Sequence, residues 1–341
     1  MRFAHLSILA LALTCASSAP AAPPASAAAL RELSLLASAT AARRAAPVLD
    51  VARVTRRLGG GAAPVPTALM HGLGDAGTNA GMQSLAASIP AAWPGAYAVA
   101  VSVADGLFSF ITPLQEQIDA FAAAVRADAT LAAAPAINVV GLSQGGLIVR
   151  GYAEQYAGRG GYPAVQNLVS ICGVQNGVFN CPLELQIIPF LCDIFESDPY
   201  RFLFNGSLPL SFSDYFVTWR NQSLYLAENT LLPPLNNQLA HANASEYKAA
   251  MAAVKVVLLS QALNDTVVYP FLSEQFGGYE FSTNSSSAPV TYDFAHGAQR
   301  TQNLLGLADR DGSTLILSSF EGDHIRFNDS YWDEVVLPLL H

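Results

Sequence analysis

Long apolar runs are scarce in this chain of 341 residues. Residues 6–13 are too few to cross a bilayer, and the stretch 187–195 is interrupted by Pro189, Cys192 and Asp193. No transmembrane segment is therefore expected, and the hydrophobic fraction of 52% owes much to alanine. Positive charge is also in short supply. A net charge of −9 argues against partners that are nucleic acids or anionic membrane surfaces, because neither a phosphate backbone nor an acidic lipid attracts an acidic body. Cysteines number only four, and no pair has metal-ligand spacing, so neither a metal nor another cofactor is expected.

The start of the chain assigns a compartment. Arg2, the apolar run and the small residues 16–19 read as a secretory signal peptide, taken as residues 1–22. Residues 23–63, rich in Ala and Pro and ending in a Gly run, read as a poorly ordered leader. Six Asn-x-Ser/Thr sequons, at Asn205, Asn221, Asn243, Asn264, Asn284 and Asn328, fit a secretory route as glycosylation candidates. An oxidising lumen permits a disulfide, and Cys181 with Cys192 closes the natural short loop. Cys172 then reads as a buried free thiol acting as a small core hydrophobe.

From residue 64 onward, apolar strand-like runs alternate with helical patterns. Strands are expected over 65–70, 96–103, 137–140 and 168–171, and helices over 82–88, 114–127 and 147–156. Such alternation specifies an α/β domain with a mainly parallel sheet and helices on both faces, its functional loops at the carboxyl ends of the strands. The rhythm breaks between about 173 and 254, where Pro, Asn and aromatic residues multiply. A loop that long needs structure of its own, so an inserted, mainly helical cap is expected there. Strands resume at 254–259 and 314–320, and one domain over 64–341 accounts for the whole pattern.

The stretch Gly141-Leu142-Ser143-Gln144-Gly145 lies directly between an expected strand and an expected helix. That context makes Ser143 the nucleophile of a strand–turn–helix elbow, the signature of the α/β-hydrolase fold. A serine hydroxyl needs a base and the base needs an orienting acid, and in this fold both follow the serine in the chain. His324 follows an expected strand near the carboxyl terminus, whereas His296 has no such strand, His241 falls in the cap and His341 ends the chain. Asp265 follows the strand 254–259 and is the expected acid; Asp323 is adjacent to the histidine and points poorly for that role. The amides of Gln144 and of Leu73, in the loop His71-Gly72-Leu73-Gly74-Asp75, are the expected oxyanion donors, and His71 itself reads as structural.

Seven segments, HGLGD (71–75), GLSQGG (141–146), LVSICGVQNGVFNCP (168–182), RNQSLYLAEN (220–229), LNDTVVYP (263–270), FGGYE (276–280) and EGDHIRF (321–327), together resemble the palmitoyl-protein thioesterases, most of all their lysosomal type 1 form. They run in the family's order across almost the whole chain after residue 64. The resemblance places the family's nucleophile on Ser143, its acid on Asp265 and its histidine on His324. It implies long-chain acyl thioesters as substrates, chiefly S-palmitoylated proteins or peptides and also acyl-CoA. It implies too a glycosylated enzyme of the lysosome or vacuole, or a secreted one. Where the mammalian form has vicinal cysteines after this loop, the chain has Ala76-Gly77-Thr78. An acyl groove in the cap would draw on Ile187, Ile188, Phe190, Leu191, Phe202 and Phe204. Two other readings share these residues: a lipase or carboxylesterase acting on oxygen esters, because scaffold and triad do not fix the substrate, and a non-catalytic lipid-binding glycoprotein.

Overall fold

The computed structural model describes residues 64–181, 199–200, 210–283 and 288–341. The expected signal peptide and leader, Cys192, the sequons at Asn205 and Asn284, and the groove candidates Ile187, Ile188, Phe190, Leu191, Phe202 and Phe204 lie outside the described residues.

Six strands build one wholly parallel sheet: β1 (Thr67–Met70), β2 (Ala98–Val101), β3 (Ala136–Leu142), β4 (Ala164–Ile171), β5 (Val256–Ala262) and β8 (Leu315–Phe320). Their spatial order is β2-β1-β3-β4-β5-β8, while β6 (Gly278–Tyr279) and β7 (Thr291–Tyr292) form a separate antiparallel ribbon. Parallel pairing requires crossovers, and the helices that supply them cover both faces. Side-chain alternation shows this directly. Ala68 and Met70 enter one core with Val139, Leu168 and Val257, while Leu69 enters the other with Val140, Val169 and Leu258.

On the first face, helix α2 (Leu114–Ala127) buries Leu114, Ile118, Phe121 and Val125, a single stripe at helical spacing. Helix α1 (Ala80–Ala92) covers the opposite face with Met82, Ala86 and Ile89, joined there by Trp332, Val336 and Leu340 from the carboxyl-terminal segment. Helix α3 (Gln144–Gln155) is buried from Gln144 to Glu154. It lies between the sheet and the segment that joins β4 to β5. Arg150, fully buried in α3, donates from Nη1 to Glu154 Oε1 (2.7 Å) and Leu235 O (3.1 Å), and from Nη2 to Asn236 Oδ1 (2.7 Å). Those bonds staple the β4–β5 segment onto the core. Its described residues carry a 3-10 turn (Ser211–Tyr215), helix α4 (Gln222–Glu228), one turn at Leu232–Leu235 and helix α5 (Ala244–Ala253), with no strand of the main sheet among them.

The strands differ from the sequence expectation mainly at their ends. β2 is shorter than 96–103, and β5 starts two residues later than 254 and continues through Ser260 and Gln261 to Ala262. Apolar patterning stops at Leu259, yet backbone pairing continues, Ile171 with Ser260 and Gln261 with Ser319. That extension carries the loop after β5 to the carboxyl edge, where the site lies. No helix among the described residues is long and apolar enough to cross a membrane.

Candidate active site

Ser143 sits between β3 and α3 with φ 52° and ψ −125°, a left-handed conformation that favours glycine. The neighbouring glycines make the turn sterically possible. A Cβ on Gly145 would lie 2.4 Å from His71 O and 2.5 Å from Met70 O, and one on Gly141 would lie 2.3 Å from Gly145 O. Both approaches are to backbone, which cannot yield. The strained turn projects the serine at the sheet's carboxyl edge and aims the amino-terminal end of α3, with its positive dipole end, toward the same place.

Two loops at that edge complete a relay. His324, in the loop after β8, has Nε2 2.8 Å from Ser143 Oγ and Nδ1 2.6 Å from Asp265 Oδ2. A carboxylate on Nδ1 makes that nitrogen the donor and leaves the Nε2 lone pair for the serine proton. Asp265, in the loop after β5, is held by the amides of Val267 and Val268, each donating to Oδ1 at 2.7 Å, and its side chain is fully buried. The structure thus brings together the three residues singled out in the sequence, although 181 positions separate Ser143 from His324.

Asp323 has a use that its place in the sequence hides. It accepts from the His324 amide (2.7 Å), the Thr266 amide (2.9 Å) and Thr266 Oγ1 (2.9 Å), so it ties the acid's loop to the histidine's loop. The bond from the His324 amide leads the influences that hold its carboxyl below the usual range.

The loop 71–75 packs against the nucleophile: a Cβ on Gly72 would come within 3.0 Å of Ser143 Cβ. The segment after β2 braces this loop, Gly74 N donating to Ser109 Oγ (2.7 Å) and Gly106 N to Asp75 O (2.7 Å). His71 is buried, with Nδ1 2.8 Å from Gly72 O and Nε2 3.0 Å from Asp105 Oδ1. Leu73 therefore lies in the loop against Ser143, and Gln144 opens α3. The Gln144 side chain is engaged elsewhere: Nε2 donates to Gln117 Oε1 (3.0 Å) and Oε1 accepts from Ser211 Oγ (3.0 Å).

Two further buried groups lie beside the relay. Cys172 is a buried free thiol, as expected, and its Sγ accepts from Ile325 N (3.4 Å) beside the relay. Glu274 is fully buried and interacts with both Asp265 and Cys172. Nothing in the stretch Phe271 to Phe276, where Ser273, Glu274 and Gln275 are all polar, singles out Glu274. Among the described residues, the one cluster of metal-type donors is Cys172, Asp265 and His324, within 4.8 Å of one another. Both nitrogens of His324 are already engaged there, and burial pushes the Cys172 thiol far above its ordinary range, opposing the thiolate that a metal would need. Cys181 is disulfide-bonded. The four described sequon asparagines, Asn221, Asn243, Asn264 and Asn328, are all exposed.

The chain is similar in sequence to known proteins. The sequence profile of the family "Palmitoyl protein thioesterase" matches residues 66–324. Palmitoyl-protein thioesterase 3 of Dictyostelium discoideum is 28% identical over 252 residues, 74% of this chain and 81% of that protein. Lysosomal thioesterase PPT2 of Homo sapiens is 25% identical over 218 residues, 63% of this chain and 68% of that protein. These names support the family without singling out its type 1 form. Among solved structures, a thioesterase domain from the curacin biosynthetic pathway superposes with a TM-score of 0.39 at 9% identity, covering 82% of this chain and 92% of that one. The match across the sheet, elbow and both later loops means that the chain belongs to the palmitoyl protein thioesterase family, as a thioester hydrolase.

Proposed function

We propose that the chain hydrolyses long-chain acyl thioesters, chiefly S-palmitoylated cysteines of proteins or peptides and also acyl-CoA, through an acyl-enzyme on Ser143. The observation that carries this reading is the continuous relay from Ser143 Oγ to His324 (2.8 Å) to Asp265 (2.6 Å) at a strained elbow. His324 Nε2 takes the serine proton as Oγ attacks the thioester carbonyl, and Asp265 stabilises the imidazolium that results. The amides of Leu73 and Gln144 receive the charge that develops on the carbonyl oxygen. Collapse of the tetrahedral intermediate breaks the carbon–sulfur bond and releases the thiol, with the proton returned from His324. Water, deprotonated by the same nitrogen, then attacks the acyl-serine, and the fatty acid leaves as Oγ recovers its proton.

An apolar acyl chain is supported by Leu107 and Phe108, 60% and 65% exposed in the segment that braces the loop 71–75. The segment 173–254 is proposed as a cap, and disulfide-bonded Cys181 is proposed to pair with the cysteine expected from the sequence, outside the described residues. A lysosome, vacuole or other secretory destination is supported by the expected signal, the exposed sequons and the lysosomal description of a relative. The deciding experiment compares matched palmitoyl thioester and oxygen-ester substrates on wild type and Ser143→Ala. Thioester turnover above ester turnover, lost in the variant, is expected. Preference for the oxygen ester would make the protein an esterase, and full activity of the variant would remove Ser143 from the mechanism.

A further inference from the structure

A second carboxyl lies buried near the relay. Glu274 lies in the 3-10 turn Phe271–Gln275, every residue of which is buried. Its neighbour Gln275 fixes that turn to the sheet's edge, Nε2 donating to Leu259 O (2.9 Å) and Ser318 O (2.6 Å). Glu274 Oε2 accepts the Ala262 amide at 3.0 Å, and the carboxyl lies near enough to Asp265 and Cys172 for both to act on it. Two neighbouring carboxyl groups that are both buried do not both ionise, because each charge would face the other without water between them.

The donors around each group decide which one. Asp265 receives the amides of Val267 and Val268 and the His324 ring, whereas Glu274 receives one amide, and its Oε1 meets no donor. The anion therefore belongs on Asp265 and the proton on Glu274. The groups that face Glu274 point the same way: Asp265 from the loop after β5, Cys172 after β4 and, from the carboxyl-terminal segment, the Tyr331 phenol, with His324 reached through Asp265. None of the groups acting on Glu274 is a cation, and burial first, then Asp265, raises its pKa well above the carboxylate range.

Building on the relay proposed above, we infer that Glu274 is a positioning residue: a neutral carboxylic acid that donates a hydrogen bond to Asp265, fixing its aim at His324 and moderating the basicity of that imidazole. The donated bond disperses the charge on Asp265, so His324 gives up its proton more readily than it would beside an unsupported carboxylate. Asp265 remains the acid of the relay, and Glu274 acts only through it.

The sign of a pH shift tests this. The acid limb of kcat/KM for a palmitoyl thioester is measured for wild type, Glu274→Gln and Glu274→Leu. Gln keeps a neutral donor, so its limb should stay in place and its kcat/KM within about threefold of wild type. Leu removes the donor and concentrates charge on Asp265, so its limb should move to higher pH by about half a unit or more, with roughly tenfold lower kcat/KM. An ionised Glu274 would give the reverse, a limb moved to lower pH in both variants, and would overturn the inference. A limb unmoved in both would also overturn it, leaving a purely structural residue.

Infrared difference spectra provide a readout that does not depend on activity or on the Leu variant folding. Wild type minus Glu274→Gln at neutral pH should show the carbonyl stretch of a protonated carboxyl, and its absence would refute the neutral acid. Ser143→Ala is run alongside: if it retains wild-type turnover, the relay reading fails, whereas the infrared result still judges the protonation of Glu274 separately.

Discussion

Ser143→Gly should stabilise the protein relative to Ser143→Ala while both variants lose thioesterase activity. Each substitution removes Oγ and its 2.8 Å contact with His324, so that loss cancels between them. What differs is the backbone. At φ 52° a residue with a Cβ carries strain of about 1–3 kcal/mol, which glycine relieves. Against this, glycine adds freedom to the unfolded chain, worth roughly 0.4–1 kcal/mol. Packing around the position changes little, because Ser143 is only half-buried. The balance favours glycine by about 1 kcal/mol, or roughly 2–4 °C in Tm for a domain of this size. Urea and thermal unfolding of the two variants measure it. A glycine variant no more stable than the alanine variant would show that the elbow is unstrained and that the nucleophile's placement costs the fold nothing.

Asp265→Asn should keep the bonds from Val267 and Val268 on its remaining oxygen but present an amide to His324 Nδ1, stabilising the wrong tautomer; kcat should fall by roughly three to four orders of magnitude with unchanged urea unfolding. Asp214 caps α2 by accepting the Leu114 amide, and burial outweighs that bond, raising its pKa from 3.8 to about 6. The folded chain thus keeps a proton that the unfolded chain has already lost, so this stabilisation is full below about pH 4 and disappears as pH rises toward 6. Asp214→Asn should remove that slope and raise stability near pH 7 by about 2–3 kcal/mol, as denaturant titrations at several pH values would show. Gly145→Ala, with backbone oxygens 2.4 and 2.5 Å from the new Cβ, should cost more than about 2 kcal/mol or prevent folding, whereas Gly81→Ala in α1, with nothing within 4 Å, should gain up to about 1 kcal/mol in the same assay.

Local chemistry made much of the site legible in advance. The glycines around Ser143 are readable because a tight strand-to-helix turn has no room for a Cβ, and the structure shows the backbone oxygens that exclude one. His324 and Asp265 are readable because each directly follows an apolar run that becomes a strand, and parallel strands deliver their carboxyl ends to one edge. Less visible was the polar continuation of β5, since pairing of the backbone does not require apolar side chains.

By itself, then, the amino-acid pattern determines the alternation of strands and helices, the elbow, and the chain order of serine, acid and histidine, because periodicity and steric demand are properties of neighbouring residues. Only the tertiary structure decides that Asp323 clamps two loops through Thr266, that Cys172 lies beside the relay, and that Glu274 is buried near Asp265. The physical reason is that hydrogen bonding and protonation depend on which groups face one another after folding, and residues 102 positions apart, such as Cys172 and Glu274, leave no joint signature along the chain.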